Sequence, residues 1–176
     1  MMLTLLQALY FFFPAYVANM APVFAHALKL PLGYPVSTQY FGDHKTVRGI
    51  MAGIVAALGV VFVQKMLFMQ GYPFFQELSL LEYSTISIIL YGLAFGLGAL
   101  VGDLIKSFFK RRLQREPGSP WVPFDQLDFV LGALIFLYPL YQLELKYVAV
   151  LLIATPALHF SANVLGYLLN LKRVWW

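Results

Sequence analysis

Two aspartates three residues apart, Asp125 and Asp128, stand at the head of an apolar run. At the start of a helix that spacing sets both carboxylates on one face. Either alone would serve as a first-turn cap, since Asp is favoured there and Pro123 just upstream is ordinary at such a place. Two of them in a segment that must enter a membrane suggest another use, because an ionisable group at membrane depth is costly unless something pairs with it. Asp103 closes the preceding apolar run, with Lys106 and Lys110 three and seven residues further along one helical face. By itself that is an ion pair beside a basic loop. If the helices flanking the intervening loop are neighbours, Asp103, Asp125 and Asp128 meet as an oxygen set suited to one or two Mg²⁺ ions bridging phosphates.

A second group, Asp43, Lys45, Thr46 and Arg48, lies between Gly42 and Gly49 where another helix is expected to begin. Backbone amides at a helix start, a hydroxyl and two cations make a phosphate cradle. The glycine spacing is not that of a Walker loop. His159 and Asn163, one turn apart in the last apolar run, read as interhelical hydrogen-bond partners rather than ligands. His26 and His44 follow no pattern. The chemistry on offer is that of a nucleotide handled at a membrane surface.

The elements that must position these residues are membrane spans. The 176-residue chain is 61% hydrophobic and only 11% charged, whereas soluble domains approach a quarter charged. Its mean hydropathy is +0.75. The absence of cysteine excludes a disulfide framework, thiolate metal ligands and a cysteine nucleophile. A net charge of +4 would suit nucleic acid, but the basic residues sit in short loops between apolar runs, as in membrane proteins. No nucleic-acid partner is therefore expected. The first 28 residues carry no Asp, Glu, Lys or Arg, so they lack the basic start of a secretory signal and read as a retained helix.

An all-α polytopic domain over residues 1–176 follows, with spans at 2–24 (kinked at Pro14), 49–69, 83–101, 129–143 and 147–171. Gly49, Gly53 and Gly59 would allow close helix approach. Gly92, Gly96 and Gly98 offer another small-residue face, which could leave a groove open to lipid. The fourth run has only fifteen residues, roughly 22 Å of helix against a hydrocarbon core of about 30 Å. Its helix must therefore begin near Phe124, drawing Asp125 and Asp128 towards membrane depth. Of twelve Lys and Arg, only Lys65 and Lys146 fall on one side. That asymmetry puts the N-terminus outside, and the C-terminus and both basic loops in the cytoplasm. Trp175 and Trp176 would be interfacial anchors.

Gly102-Asp103-Leu104-x-x-Ser107-x-x-Lys110-Arg111, followed by Asp125-Gln126-Leu127-Asp128, resembles the signature of the CDP-diacylglycerol synthases. Those enzymes have arginine where this chain has Gln126, carry a His-Gly-Gly segment absent here, and are much longer. The departures match the compact archaeal relatives, the CDP-archaeol synthases, as does Phe41-Gly42-Asp43-x-Lys45-Thr46-x-Arg48-Gly49. With that family the resemblance spans nearly the whole chain. It implies transfer of CMP from CTP, with Mg²⁺, onto a dialkyl glycerol phosphate bearing geranylgeranyl chains, with release of pyrophosphate. The metal-binding aspartates would be Asp125 and Asp128, with Asp103 in the Gly-Asp pair. Ser107, Lys110 and Arg111 match the nucleotide-handling block, and Lys45, Thr46 and Arg48 the first-loop block. Lys106 stands where bacterial relatives often have an acid and is assigned to substrate. A related synthase acting on another lipid phosphate is the alternative. A CDP-alcohol phosphotransferase would need an Asp-Gly-x-x-Ala-Arg pattern that is missing, and a transporter would string its charges across the spans rather than gather them at one face.

Overall fold

A computed structural model describes residues 1–115 and 119–168. Trp175 and Trp176, the closing Lys172 and Arg173, and the side chain of Asn163 lie outside the described residues. The described chain is helical: α1 (Met2–Ala27), α2 (Thr38–Phe41), α3 (Val47–Met69), α4 (Pro73–Leu78), α5 (Ile88–Arg112), α6 (Phe124–Leu137) and α7 (Leu145–Leu168). Its one β-type pairing is an isolated bridge between Pro35 and Thr46. Helices α1, α3 and α5 are long and apolar enough to cross a membrane, and α7 carries a shorter apolar stretch, Leu145–Ser161.

Apolar side chains lie on both the inside and the outside of this bundle. Inside, Phe11, Phe12 and Phe95 are fully buried, and Phe11 and Phe12 meet Phe95 edge to face at centroid distances of 5.4 and 6.0 Å. Such edge-on geometry is what the ring quadrupole favours. Outside, Phe62, Ile89, Ile135 and Ile153 are more than half exposed. An apolar exterior on this scale belongs against lipid rather than water.

Three helix boundaries depart most from the hydropathy pattern, each for a local reason. The third apolar run does not become helical at Tyr83. Ser84 and Thr85 turn back onto Glu82, and α5 begins only after Ser87, whose hydroxyl accepts from the Leu90 amide. The helix then continues eleven residues past Val101, ending on Lys110, Arg111 and Arg112, cations that suit the negative end of the helix dipole. At the other end of the site α6 starts at Phe124, the expected residue, although the helix does not gain the length on which that expectation rests. It stops at Leu137 rather than near Leu143, because Pro139 cannot continue it. At fourteen residues, α6 reaches only about 21 Å.

Glycine decides how these helices meet. Gly53 lies against the Ala18 carbonyl, Gly92 against Leu58, and Gly96 against Ala57 and Ile54, while nothing approaches Gly59 within 4 Å. Gly59 therefore makes no close helix contact. The expected glycine face of α5 is filled by neighbouring helices: Gly92 and Gly96 seat α3, and Gly98 seats α6. The tightest approach joins α5 to α6, where Gly98 and Gly102 face Gly132 with no room for a side chain. This contact sets the residues that follow Gly102 beside those that precede Gly132.

Candidate active site

The close α5–α6 packing brings Asp103, Lys106 and Lys110 of one helix against Asp125 and Asp128 of the other. Lys106 is at the centre. Its ammonium lies 3.1 Å from Asp103 Oδ1, 3.3 Å from Asp125 Oδ1 and 2.7 Å from Asp128 Oδ2. Lys45, from the first loop, pairs with the other oxygen of Asp103. Lys110 Nζ reaches Asp125 Oδ1 at 2.7 Å and donates to the Ser119 carbonyl at 2.8 Å. Three ammoniums thus face three carboxylates, all largely buried. The Asp128 side chain is only 5% exposed.

Neither aspartate caps α6, whose N-cap is Pro123 with no side-chain bond. Asp125 Oδ2 instead accepts from the Trp121 amide at 2.6 Å, fixing the loop that leads into the helix. Asp128 Oδ1 accepts from the neighbouring Phe129 amide. Its Oδ2 is buried and, although within ion-pair distance of Lys106, has no partner in hydrogen-bonding geometry. Burial without a directed partner is unusual for a carboxylate oxygen.

The first loop folds differently from a free phosphate cradle. The Val47 amide donates to the Tyr34 carbonyl and the Arg48 amide to that of Leu32. The Gly49 amide donates to the Thr46 hydroxyl, which caps α3. All three leading amides are engaged, so they offer nothing to an anion. Arg48 also braces its own loop. Its guanidinium donates to the Leu30 carbonyl at 2.9 Å and meets His26 Nδ1 at 2.8 Å. It packs where a side chain on Gly33 would stand. What this loop contributes to the site is the Lys45 ammonium and one wall of a cavity.

That cavity, of about 420 Å³, is lined by Asn19, His26, Asp43, His44, Lys45, Thr46, Arg48 and Asp103 among others. Asp43 and His44 at its rim are exposed. A second cavity of about 390 Å³ touches the opposite flank of the cluster, at Lys106 and Asp128. Its walls are apolar: Ile105, Phe109, Phe124, Leu131 and Ile135, each about half exposed or more. One ionic cluster therefore separates a polar chamber from an apolar groove.

The remaining candidates are elsewhere. Ser107 is buried and its hydroxyl donates to the Asp103 carbonyl of its own helix. Arg111 lies with Gln39, Tyr40, Phe108 and Arg112 around a separate cavity of about 160 Å³, so α5 turns it away from the aspartates. His159 is half-buried on α7. Sequence reasoning missed Asn19, His26 and His44 as chamber residues, and patterning gives no reason to select the two histidines. Asn19 has one usable signal, as a polar residue inside an apolar run. Among the described residues no three carboxylates or imidazoles stand ready-made as a metal shell; the aspartates are grouped around Lys106 instead.

Fold and site together define a polytopic all-helical membrane protein with an acidic–basic cluster between two chambers. Its relatives are specific. The family model described as CarS-like, CDP-archaeol synthase, matches residues 1–176, and the chain belongs to that family. It is 38% identical to the CDP-archaeol synthase of Pyrococcus furiosus over 98% of both chains. It is 34% identical to that of Methanococcus maripaludis over 100% of this chain and 99% of the other. A solved structure of an intramembrane enzyme for archaeal membrane lipids biosynthesis superposes with a TM-score of 0.72 at 30% identity, covering 89% of this chain and 92% of that one.

Proposed function

We propose that the protein transfers CMP from CTP to an unsaturated dialkyl glycerol phosphate bearing geranylgeranyl ether chains, giving CDP-archaeol and pyrophosphate. The observation that carries the reading is the cluster of Asp103, Lys106, Asp125 and Asp128 with a polar chamber on one flank and an apolar groove on the other. A water-borne nucleotide suits the first and a lipid tail the second, and the cluster borders both, through Asp103 on one flank and Lys106 and Asp128 on the other.

The acceptor phosphate is already an anionic nucleophile, so the protein need not supply one. One of its oxygens attacks the α-phosphorus of CTP, and the bond from that phosphorus to the β-phosphate oxygen breaks, with pyrophosphate leaving. What the protein must provide is alignment of two anions and neutralisation of their charge. Lys45, on the chamber side, and Lys106 and Lys110 on α5 supply positive charge. The apolar walls of the groove hold the chains so that the head group meets the cluster.

Mg²⁺ is part of this reading. Its residues would be Asp103, Asp125 and Asp128, which offer hard oxygen donors. The buried Asp128 Oδ2, with no directed hydrogen bond, fits a spherical cation. When bound, the ion would draw charge from the phosphates and orient them. Residues 1–176 act as one integral membrane domain with five spans. The cluster and the C-terminus face the cytoplasm, the side on which ten of the twelve Lys and Arg fall.

The deciding experiment incubates purified protein in detergent with labelled CTP, Mg²⁺ and a dialkyl glycerol phosphate. A CDP-lipid should form, with pyrophosphate in equal amount. No labelled lipid at any metal or acceptor concentration would end the proposal.

A further inference from the structure

We infer that the Lys106 ammonium occupies the place of a divalent cation among Asp103, Asp125 and Asp128, so that a cation enters only as Lys106 withdraws from them when nucleotide binds. The inference rests on the reading of those aspartates as the cation site, and it adds how that site is kept before substrate arrives.

Three observations support it. An ammonium has three donors, and the three nearest anionic groups come from two different helices, all within 3.3 Å. Lys106 therefore sits at the convergence of the carboxylates rather than on their rim. Second, the buried Asp128 Oδ2 faces that ammonium at 2.7 Å, with no other partner. What this oxygen meets is a cation alone, and a metal ion would meet the same need.

Third, the cluster is electrically balanced as it stands, with Lys45, Lys106 and Lys110 against the three aspartates. A divalent cation added to a balanced and largely buried cluster leaves two uncompensated positive charges, and burial makes that costly. Withdrawal of Lys106 removes one of them from among the carboxylates, and the phosphates of a nucleoside triphosphate offset the rest. Cation and nucleotide affinity are then linked, each raising the other by the same factor. Lysine suits such an exchange, since a point charge on a flexible four-carbon stem can withdraw without moving its helix. Lys106 borders the apolar groove on the flank of the cluster opposite the polar chamber, so the ammonium has space in which to leave the carboxylates.

The test measures Mn²⁺ binding directly, as loss of the free-ion electron paramagnetic resonance signal, on the full chain in detergent without lipid acceptor. Wild-type protein should bind Mn²⁺ weakly alone and at least tenfold more tightly with CTP. Lys106→Met should bind Mn²⁺ at least tenfold more tightly than wild type without CTP, and should gain less when CTP is added. Lys106→Arg, which keeps the charge, should stay as weak as wild type. Adding Asp128→Asn to Lys106→Met should abolish the gain. A permanent structural role for Lys106 makes the opposite prediction, that its loss disorders the aspartates and weakens Mn²⁺ binding. A folded Lys106→Met that binds no more tightly than wild type overturns the inference. If Lys106→Met is unstable alone, Mn²⁺ must restore its melting temperature to the wild-type value; failure to do so also overturns it. A wild type that binds Mn²⁺ as described but makes no CDP-lipid sinks the proposed activity and leaves this inference standing. Turnover with an unaltered Lys106→Met affinity does the reverse.

Discussion

Gly102 lies directly beneath the backbone carbonyl of Asp128, so close that a β-carbon on the glycine would overlap the oxygen. The two residues belong to separate sequence blocks, Gly-Asp on α5 and Asp-Gln-Leu-Asp on α6, and this contact is where the blocks meet. The glycine permits the contact, and the aspartate after it joins the cluster the contact creates.

Gly102→Ala should therefore push α5 and α6 apart. Overpacking of this kind costs about 1–3 kcal/mol, and we expect a lower melting temperature in detergent together with loss of CDP-lipid formation. Gly59→Ala is the control, because nothing approaches that position within 4 Å. It should be neutral or stabilising by about 1 kcal/mol, the helix-propensity difference. A Gly102→Ala protein as stable and active as wild type would refute the packing argument.

Asp128→Asn replaces a buried carboxylate by a neutral group of the same volume. The helices should still pack, but Lys106 loses its nearest buried counter-charge, so the melting temperature should fall while the protein stays folded. Turnover should fall by about 10²–10³, the usual loss when one preorganised electrostatic group is removed. Parallel melting curves and labelled-CTP assays check both halves. More than half of wild-type activity in the variant would remove Asp128 from the machinery.

Leu131 lines the apolar groove and is 48% exposed. Leu131→Trp should fill part of that groove and raise the KM for the lipid acceptor about tenfold, the scale on which hydrophobic pockets discriminate. CTP binding, measured without acceptor, should be unchanged, because Leu131 does not border the polar chamber. A loss of CTP affinity with no change in lipid KM would contradict the assignment of the two chambers.

The lack of native cysteine makes sidedness simple to read. Gln39 and Tyr72 are both exposed, in the first basic loop and in the loop between α3 and α4. In intact cells or sealed vesicles, Gln39→Cys should react with a membrane-impermeant maleimide only from the cytoplasmic side, and Tyr72→Cys only from the outside. Labelling of both from one side would reject the five-span arrangement.

Much is legible from residues alone. Hydropathy marks α1, α3 and α5, because lipid exposure selects apolar residues over a whole helix length whatever its neighbours are. The expected start of α6 near Phe124 agrees with the structure, but the helix ends at Leu137 and falls short of the length behind that expectation. Asp103, Asp125 and Asp128 are recognisable as a set, since helical spacing and membrane depth are both local properties of the chain. The proline that ends α6, Pro139, is equally visible, but the apolar residues around it mask the stop.

Only the tertiary structure decided what each polar group is paired with. Hydrogen bonds to Tyr34 and Leu32 engage the amides that open α3, and no local pattern reports partners that distant. Arg111 adjoins Lys110 in sequence yet faces another cavity, because successive residues on a helix point in directions about 100° apart. Lys106 reads in sequence as a substrate ligand beside a basic loop, and the structure places it among three carboxylates. Composition and period along one chain determine which segments are helices and which of their faces are polar. Which polar faces meet is set by the contact of two helices at Gly102 and Gly132, and that contact belongs to the folded molecule.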